Sequence, residues 1–283
     1  MELFQDMRTW RFWRHFLTMS FAWLGGLSTI LQTGNVIMPT VTFFQGIPVL
    51  CTVVAISIIA GLKLSWPRPI SQDYSAPRTT ISIVKGDILA QSTHLVIGTN
   101  DTFDTEPPHI ISQNSLQGQA LQVLFGGDLR ELDAQLANAL TGKPTIGSIV
   151  KAGKQIQFGI GTVATISHAA RLLFFLAYTE MDEHNTAHST PDKVWKSLLL
   201  LWHEISLRGN GGTVSVPVIG GGQARLSSIL PAQDAIRLTI LSFMFASRRE
   251  RVCDELRIVV RPDDYKKLDR LELQSFLSSL RSS

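Results

Sequence analysis

The stretch Val216–Arg225, VPVIGGGQAR, places three consecutive glycines directly after an apolar run. The run predicts a buried strand over about 213–219. Glycines at a strand end let backbone N–H groups converge on an anion, and Arg225 would add positive charge to the same place. The spacing matches neither a Walker A loop nor a Rossmann fingerprint. A flexible turn is the alternative reading, and this stretch by itself leaves both open.

Short apolar runs and amphipathic segments alternate on both sides of this stretch. Thr190 is a good N-cap, Pro191 suits a first helical turn and Gly209 is a stop signal, so the helix between them is well specified. The other predicted helices span 128–140, 231–248 and 270–280. The other predicted strands span 80–85, 95–99, 161–167, 171–179 and 256–261. This alternation predicts an α/β layered domain with a mixed sheet flanked by helices.

Residues 15–62 contain no Asp, Glu, Lys or Arg, although 17% of the chain is charged. A turn-like segment, Gly34–Thr40, divides them into pieces of about 15–33 and 41–62. Each piece is near the ~20 residues that a helix needs to cross a bilayer, and backbone in lipid must be helical. We therefore predict a two-helix transmembrane hairpin, with Pro48 as a kink. A cleaved signal peptide and a buried hairpin of a soluble protein are the alternatives.

Basic residues flank this hairpin on both sides, and its loop carries no charge. Positive-inside logic places both termini in the cytoplasm. The net charge is only +3, so we interpret these residues as topology determinants and expect no nucleic-acid partner. They are Arg8, Arg11, Arg14, Lys63 and Arg68. Cys51 and Cys253 show no metal spacing.

Three regions follow from these patterns. Residues 1–64 hold the N-terminal segment and the hairpin, 65–78 form a proline-containing linker, and 79–283 form the cytoplasmic domain. Small residues recur four apart in each apolar piece, which lets helices approach closely. That spacing fits packing within the hairpin or an oligomer contact. The residues are Ala22 with Gly26, and Ser57 with Gly61.

Two further strand ends carry polar groups. In Val84–Ile88 a strand ends in Gly86 and Asp87, whose carboxylate can accept a hydrogen bond from an exocyclic amine such as adenine N6. In Val96–Phe103 a strand runs into a small polar loop, where Asn100 and Asp101 can meet sugar hydroxyls. An ordinary Gly-Asp turn is the alternative for the first segment, and a plain β-turn with Asx caps is the alternative for the second.

The order of these three strand ends resembles a macro domain, the ADP-ribose-binding fold. More closely, Ile110–Gln119 and Tyr178–Glu180 look like the macro domains of Thoeris anti-phage effectors. The resemblance covers about residues 79–262. Two transmembrane helices followed by a macro domain are the layout of the type II effectors of that family.

The resemblance implies a signalling role. A partner TIR-domain protein would make a signal from NAD, here a histidine-linked ADP-ribose. The macro domain would bind that ligand, the chain would form a homo-oligomer, and its helices would disrupt the bacterial inner membrane, leading to abortive infection. No cofactor, metal or catalytic residue is expected. A membrane-tethered ADP-ribosyl hydrolase is the alternative.

Carried over by position, the resemblance assigns ligand contacts to four groups. Asp87 and Ile88 would meet adenine. The distal ribose would be lined by Gly98, Thr99, Asn100 and Asp101, with Phe103 near it. One side of the pyrophosphate would be covered by Ser115, Leu116, Gln117 and Gly118. The other side would be covered by Gly220, Gly221, Gly222, Gln223, Ala224 and Arg225.

Two departures from hydrolytic macro domains favour a reader of the ligand. Their Asn-Ala-Ala-Asn is here Gly98–Asp101, and their glycine run is replaced by Asp104–Ser112. A metal site at His184 and His188 is weighed against a solvated loop, and the loop reading is preferred. That segment stays a minor candidate for contact with the distal end of the ligand.

Overall fold

The computed structural model describes residues 10–37, 46–65, 69–220, 226 and 229–281, with the side chain of Arg11 left out. The chain forms two compact units, Met1–Arg68 and Pro69–Ser283. Part of the predicted turn of the hairpin, residues 38–40, and the beginning of its second helix, 41–45, lie outside the described residues.

The described part of the first unit contains two helices, α1 (Trp10–Ile37) and α2 (Ile47–Leu64). The predicted turn was wrong for Gly34–Ile37, because these weak helix formers occupy the last turn of α1, where they are tolerated. The predicted kink at Pro48 was also wrong. Pro48 lies in the first turn of α2, where its missing N–H has no helical partner to lose.

Among the described helices, only α2 is long and apolar enough to cross a membrane by length and composition, with a mean hydropathy of 2.3 over 18 residues. A core helix or a signal sequence meets the same description, so the two-pass hairpin stays a prediction. Close approach of α1 and α2 is visible at Gly61. A Cβ added there would lie 3.2 Å from Cβ of Ser20 and 3.3 Å from Cδ2 of Phe16.

The second unit is built on a mixed sheet. Its strands in chain order are β1 (Ile70–Ser75), β2 (Arg78–Lys85), β3 (His94–Asn100), β4 (Gly147–Ser148), β5 (Ile156–Gln157), β6 (Val163–His168), β7 (Arg171–Met181), β8 (Ala187–His188), β9 (Val214–Pro217) and β10 (Glu255–Val260). The order across the sheet is β1-β2-β10-β9-β3-β7-β6, with β8 paired to β7. The five central strands, from β2 to β7, are parallel, and both edge strands are antiparallel. A separate hairpin pairs β4 with β5.

Helices cover both faces of this sheet. They are α3 (Leu116–Leu124), α4 (Leu129–Leu140), α5 (Pro191–Arg208), α6 (Ala232–Ser247), α7 (Pro262–Tyr265) and α8 (Arg270–Ser279). Alternation along β3 sends Leu95 and Ile97 into one core cluster with α3 and α4, and Val96 into another with α5, α6 and α8. The predicted α/β class with a mixed sheet and flanking helices is confirmed.

The predicted linker is contradicted over 70–78. Residues 70–75 form β1, an edge strand whose register runs from Ile70 opposite Ile83 to Ser75 opposite Arg78. Ile70, Gln72 and Tyr74 are buried, whereas Asp73 and Ser75 are exposed. The strand is polar on its outer face, and this polarity led to the prediction of a linker.

Candidate functional site

A cavity of about 500 Å³ lies at the carboxyl ends of the parallel strands. Residues that end or follow β2, β3, β7, β9 and β10 all line it. β3 and β9 are neighbours in the sheet. After β3 the chain continues to β6 and β7 on one side, and after β9 it continues to β10 on the other side. In α/β sheets such a switch point opens a crevice between neighbouring loops, and ligands bind there.

The end of β2 forms one rim of the cavity. Gly86, Asp87 and Ile88 all line it, and the Asp87 side chain is exposed. Asp87 Oδ1 accepts a hydrogen bond from the backbone N–H of Leu89 at 2.9 Å, which orients the carboxylate in an Asx turn. No described residue donates to Oδ2. This oxygen is therefore an acceptor available to a ligand, with the apolar Ile88 beside it.

The end of β3 is organised by buried hydrogen bonds. Thr99 Oγ1 donates to Gln117 Oε1 at 3.0 Å, and Gln117 Nε2 donates to the carbonyl of Asp104 at 2.6 Å. Asn100 Oδ1 accepts from the backbone N–H of Asp104 at 3.0 Å, which identifies that atom as the oxygen. Gly98, Thr99, Asn100 and Gln117 all line the cavity. Among the described residues none bonds to the amide nitrogen of Asn100, which leaves this donor for a ligand.

Asp101 and Phe103 do not line the cavity. Asp101 Oδ1 accepts from the backbone N–H of Met181 and Oδ2 accepts from Gln157 Nε2, both at 2.9 Å. Burial raises the pKa of Asp101, and these two hydrogen bonds oppose the rise. Phe103 is fully buried and packs edge-on against Phe158. Both were expected at the distal ribose, but the chain turns inward after Asn100.

The segment after Asp101 is held by a buried ion pair. Lys151 Nζ lies 2.6 Å from Asp104 Oδ2, and their side chains are 0% and 1% exposed. Asp104 Oδ1 also accepts from the backbone N–H of Lys154 at 2.8 Å. Taking two charges out of water is costly, so this pair depends on every one of these bonds. It fixes the backbone of the segment that follows β3.

Helix α3 begins at the cavity wall. Ser115 is its N-cap: the Oγ accepts from the backbone N–H of Gly118 at 3.0 Å and donates to the carbonyl of Ser112 at 2.6 Å. Ser115, Leu116 and Gln117 line the cavity, whereas Gly118 packs away from it. A Cβ on Gly118 would lie 2.5 Å from the carbonyl oxygen of Ser112. The N-terminal end of a helix favours anions at this wall.

A family model described as "Thoeris protein ThsA, Macro domain" matches residues 81–261. The chain belongs to this family. Among curated proteins no match is found. Among solved structures, the chain is similar to the Oceanobacillus iheyensis macrodomain with ADP, at 15% identity over 75% of this chain and 99% of that one, with a TM-score of 0.52. It is also similar to a variant of that macrodomain with ADPR, at 15% identity over 74% and 99%, with a TM-score of 0.51.

These identities are low, so the solved structures show the fold of the macro domain alone.

The glycine-rich stretch of this chain, Val216–Arg225, is described only in part. Pro217, Val218 and Ile219 line the cavity, and Gly220 has a φ of +100°, which a glycine adopts without strain. Gly220 itself is not among the lining residues. Gly221, Gly222, Gln223, Ala224 and Arg225 lie outside the described residues.

The far end of the macro-domain cavity is formed by β7 and β8. Tyr178, Thr179, Met181 and Ala187 line it. None of the four was assigned a ligand contact from the sequence, although Gly98 was a usable signal. A glycine inside a strand marks a place where another group approaches the backbone closely, and here that group is the Tyr178 ring.

Two histidines, His184 and His188, lie in the segment beside this end. His188 Nε2 lies 3.0 Å from Asp182 Oδ2, and the side chain of His188 is exposed whereas that of Asp182 is partly buried. The backbone N–H of Thr186 lowers the pKa of Asp182, and His188 adds to this effect. The described residues contain no cluster of three metal-binding side chains.

Proposed function

We propose that this protein is a membrane-anchored effector whose macro domain binds an ADP-ribose-derived signal. The observation that carries the proposal is the cavity at the switch point, which combines an exposed carboxylate, a helix N-terminus and an amide donor along one trough. Its volume of about 500 Å³ suits a small-molecule ligand. Two solved macrodomain structures of the same fold contain ADP and ADPR.

The ligand is placed by the chemistry along the trough. Asp87 Oδ2 accepts from the N6 amino group of adenine, and Ile88 packs on the ring. The pyrophosphate lies between the first backbone N–H groups of α3, at Leu116 and Gln117, and the stretch 220–225. The distal ribose lies over Gly98, Thr99 and Asn100. Donors converge on the anionic part, and the acceptor faces the amine.

The polar groups after β3 support a reader over a hydrolase. The Asp101 and Asp104 carboxylates both accept internal hydrogen bonds on each oxygen. The amide oxygen of Asn100 is taken by the backbone of Asp104. The two carboxylates do not line the cavity, and the Asn100 oxygen already accepts two internal hydrogen bonds, so these three groups are poorly placed to activate water there. The ADP-ribosyl hydrolase is the second candidate, carried by the fold that it shares with other macro domains.

The proposal extends to the membrane and to the source of the signal. Helix α2 anchors the chain together with α1, in the two-pass topology with both termini cytoplasmic. A TIR-domain protein supplies the ligand, a histidine-linked ADP-ribose. Ligand binding drives homo-oligomer formation, and the assembled helices disrupt the inner membrane and stop growth of the infected cell.

Calorimetry on the full chain in detergent tests the ligand. ADP-ribose and histidine-linked ADP-ribose are expected to bind with a stoichiometry of about one per chain, and the ligand is expected to be recovered intact by mass spectrometry. Turnover of the ligand would support the hydrolase instead. Failure of every ADP-ribose derivative to bind would reject both candidates.

Dye release from liposomes tests the output. Full-length protein reconstituted in liposomes is expected to release trapped dye when ADP-ribose derivatives are added, and not before. A chain lacking residues 1–64 is expected to bind ligand without causing release. Release without ligand, or intact liposomes despite saturated binding, would contradict a ligand-gated membrane effector.

A further inference from the structure

Tyr178 occupies an irregular position between two cavity-lining strands. β3 and β7 pair in register from Leu95 opposite Leu173 to Thr99 opposite Ala177, and Asn100 then lies opposite Thr179. Tyr178 is the extra residue at this shift, which is a β-bulge. Bulges occur next to binding sites because they re-aim a side chain that regular pairing would point elsewhere.

The strand opposite the bulge is shaped to accept the Tyr178 ring. A Cβ added to Gly98 would lie 2.5 Å from Cε1 and 3.1 Å from Cδ1 of Tyr178. Any side chain at this position would collide with the ring, so the ring lies directly on the Gly98 backbone. Glycine weakens a strand interior, and the bulge interrupts the ladder. The glycine in β3 and the bulge in β7 both weaken the sheet locally, and both allow the Tyr178 ring to take this position.

The hydroxyl of this ring is available to a ligand. Tyr178 lines the cavity, and no described residue forms a hydrogen bond with its hydroxyl. Tyr74 differs, because its hydroxyl donates to the carbonyl of Leu277 at 2.7 Å. Burial raises the pKa of Tyr178 to about 12, so the group stays a neutral donor and acceptor near pH 7. A tyrosine held among apolar groups normally finds a partner for its hydroxyl.

The distance along the cavity indicates which part of a ligand meets this hydroxyl. Asp87 follows β2, and four strand spacings separate β2 from β7 in the sheet order, or about 19 Å at ~4.8 Å each. If adenine lies at Asp87, as the proposed function has it, ADP reaches only part of the way. The sugar beyond the pyrophosphate reaches the Tyr178 end.

We propose that Tyr178 distinguishes ADP-ribose-type ligands from ADP, through a hydrogen bond between its hydroxyl and the terminal ribose. Gly98 acts with it as a positioning residue, because it leaves room for the ring. Tyr178 is thereby a specificity-determining residue at the end of the cavity opposite the adenine contact.

Calorimetry with ADP and ADP-ribose on the full-length protein in detergent tests this assignment. Tyr178→Phe keeps the ring and removes the hydroxyl, so ADP-ribose is expected to bind about tenfold more weakly while ADP binds within about twofold of the native affinity. Gly98→Ala displaces the ring and is expected to cause a similar loss for ADP-ribose. Combining the two changes should add little, since both act on one contact.

Tyr74→Phe is the matched control, because it removes a buried hydroxyl away from the cavity. It is expected to lower the thermal midpoint and to leave both affinities unchanged. Equal weakening of ADP and ADP-ribose by Tyr178→Phe would place the hydroxyl on the shared part of the ligands and overturn the proposal. Unchanged ADP-ribose affinity would also overturn it, and the proposed function would survive if binding still required Asp87. If the native protein binds neither nucleotide, both proposals fail.

Discussion

The strand ends that carry Asp87 and Asp101 are built for different purposes. Each aspartate follows the carboxyl end of a parallel strand, and these ends lie on the same side of the sheet. Asp87 is exposed, with one oxygen in an Asx turn and the other open to the cavity. Asp101 is 0% exposed and holds Met181 and Gln157 with its two oxygens. A carboxylate at a strand end is thus left open to the cavity or bonded within the fold, depending on whether the chain turns outward or inward after it.

Breaking the buried ion pair of the inward-turning segment should have the largest effect. Asp104→Ala leaves the Lys151 ammonium buried without its carboxylate, so the free energy of unfolding should fall by about 3–5 kcal/mol. Urea unfolding followed by circular dichroism measures this. Asp104→Leu combined with Lys151→Met removes both charges and should recover most of the loss. A cost below ~1 kcal/mol for the single change would show that water reaches the pair.

Asp101→Ala should destabilise the protein by about 2 kcal/mol, because the Met181 N–H and the Gln157 amide lose their acceptor in a buried place. Asp101→Asn retains one acceptor oxygen and should cost about half as much. The thermal midpoints of the two variants, compared with that of the native protein, measure these losses. A stable Asp101→Ala protein with weakened ADP-ribose binding would instead return Asp101 to the list of ligand contacts.

Asp87→Asn should act on binding and leave stability nearly unchanged. The amide keeps one oxygen for the Leu89 N–H but presents a donor to the adenine amine, so the affinity for ADP-ribose should fall by about 1–3 kcal/mol. Asp192→Asn, an exposed carboxylate outside the cavity, is the matched control. Native affinity in Asp87→Asn would refute the placement of adenine.

The smallest expected effect concerns the cap of α3. Ser115→Ala removes the acceptor for the Gly118 N–H and should lower the free energy of unfolding by about 1 kcal/mol. Asp128→Ala removes the matching cap of α4, whose carboxylate accepts from the Glu131 N–H, and should cost about the same. Only the change at Ser115 should also weaken ADP-ribose binding, by a few-fold. Equal affinities in the two variants would argue against a pyrophosphate contact at α3.

Local signals in the sequence were sufficient wherever a short segment contained its own structural reason. Helix α5 begins at Pro191 after the Thr190 cap and ends at Arg208, as predicted. The Gly86–Asp87 turn likewise lies at the strand end where it was expected. In both cases the deciding hydrogen bonds join residues within a few positions of each other.

Signals that depend on a partner outside the segment itself were misread. The strand β1 looked like a linker because its pairing with β2 is what makes it a strand. Phe103 and Gly118 belong to motifs that suggested ligand contact, yet Phe103 packs on Phe158 and Gly118 on the Ser112 carbonyl. A linear motif does not state which way each side chain points after a turn.

Composition, periodicity and short motifs were enough to establish the α/β class, the best-capped helix, the charge-free segment 15–62 and the macro-domain family. The tertiary structure decided which polar side chains of those motifs face the cavity. That choice depends on the bulge at Tyr178, the space over Gly98 and the Asp104–Lys151 pair. Each joins residues tens of positions apart, and only the packed sheet brings them into contact.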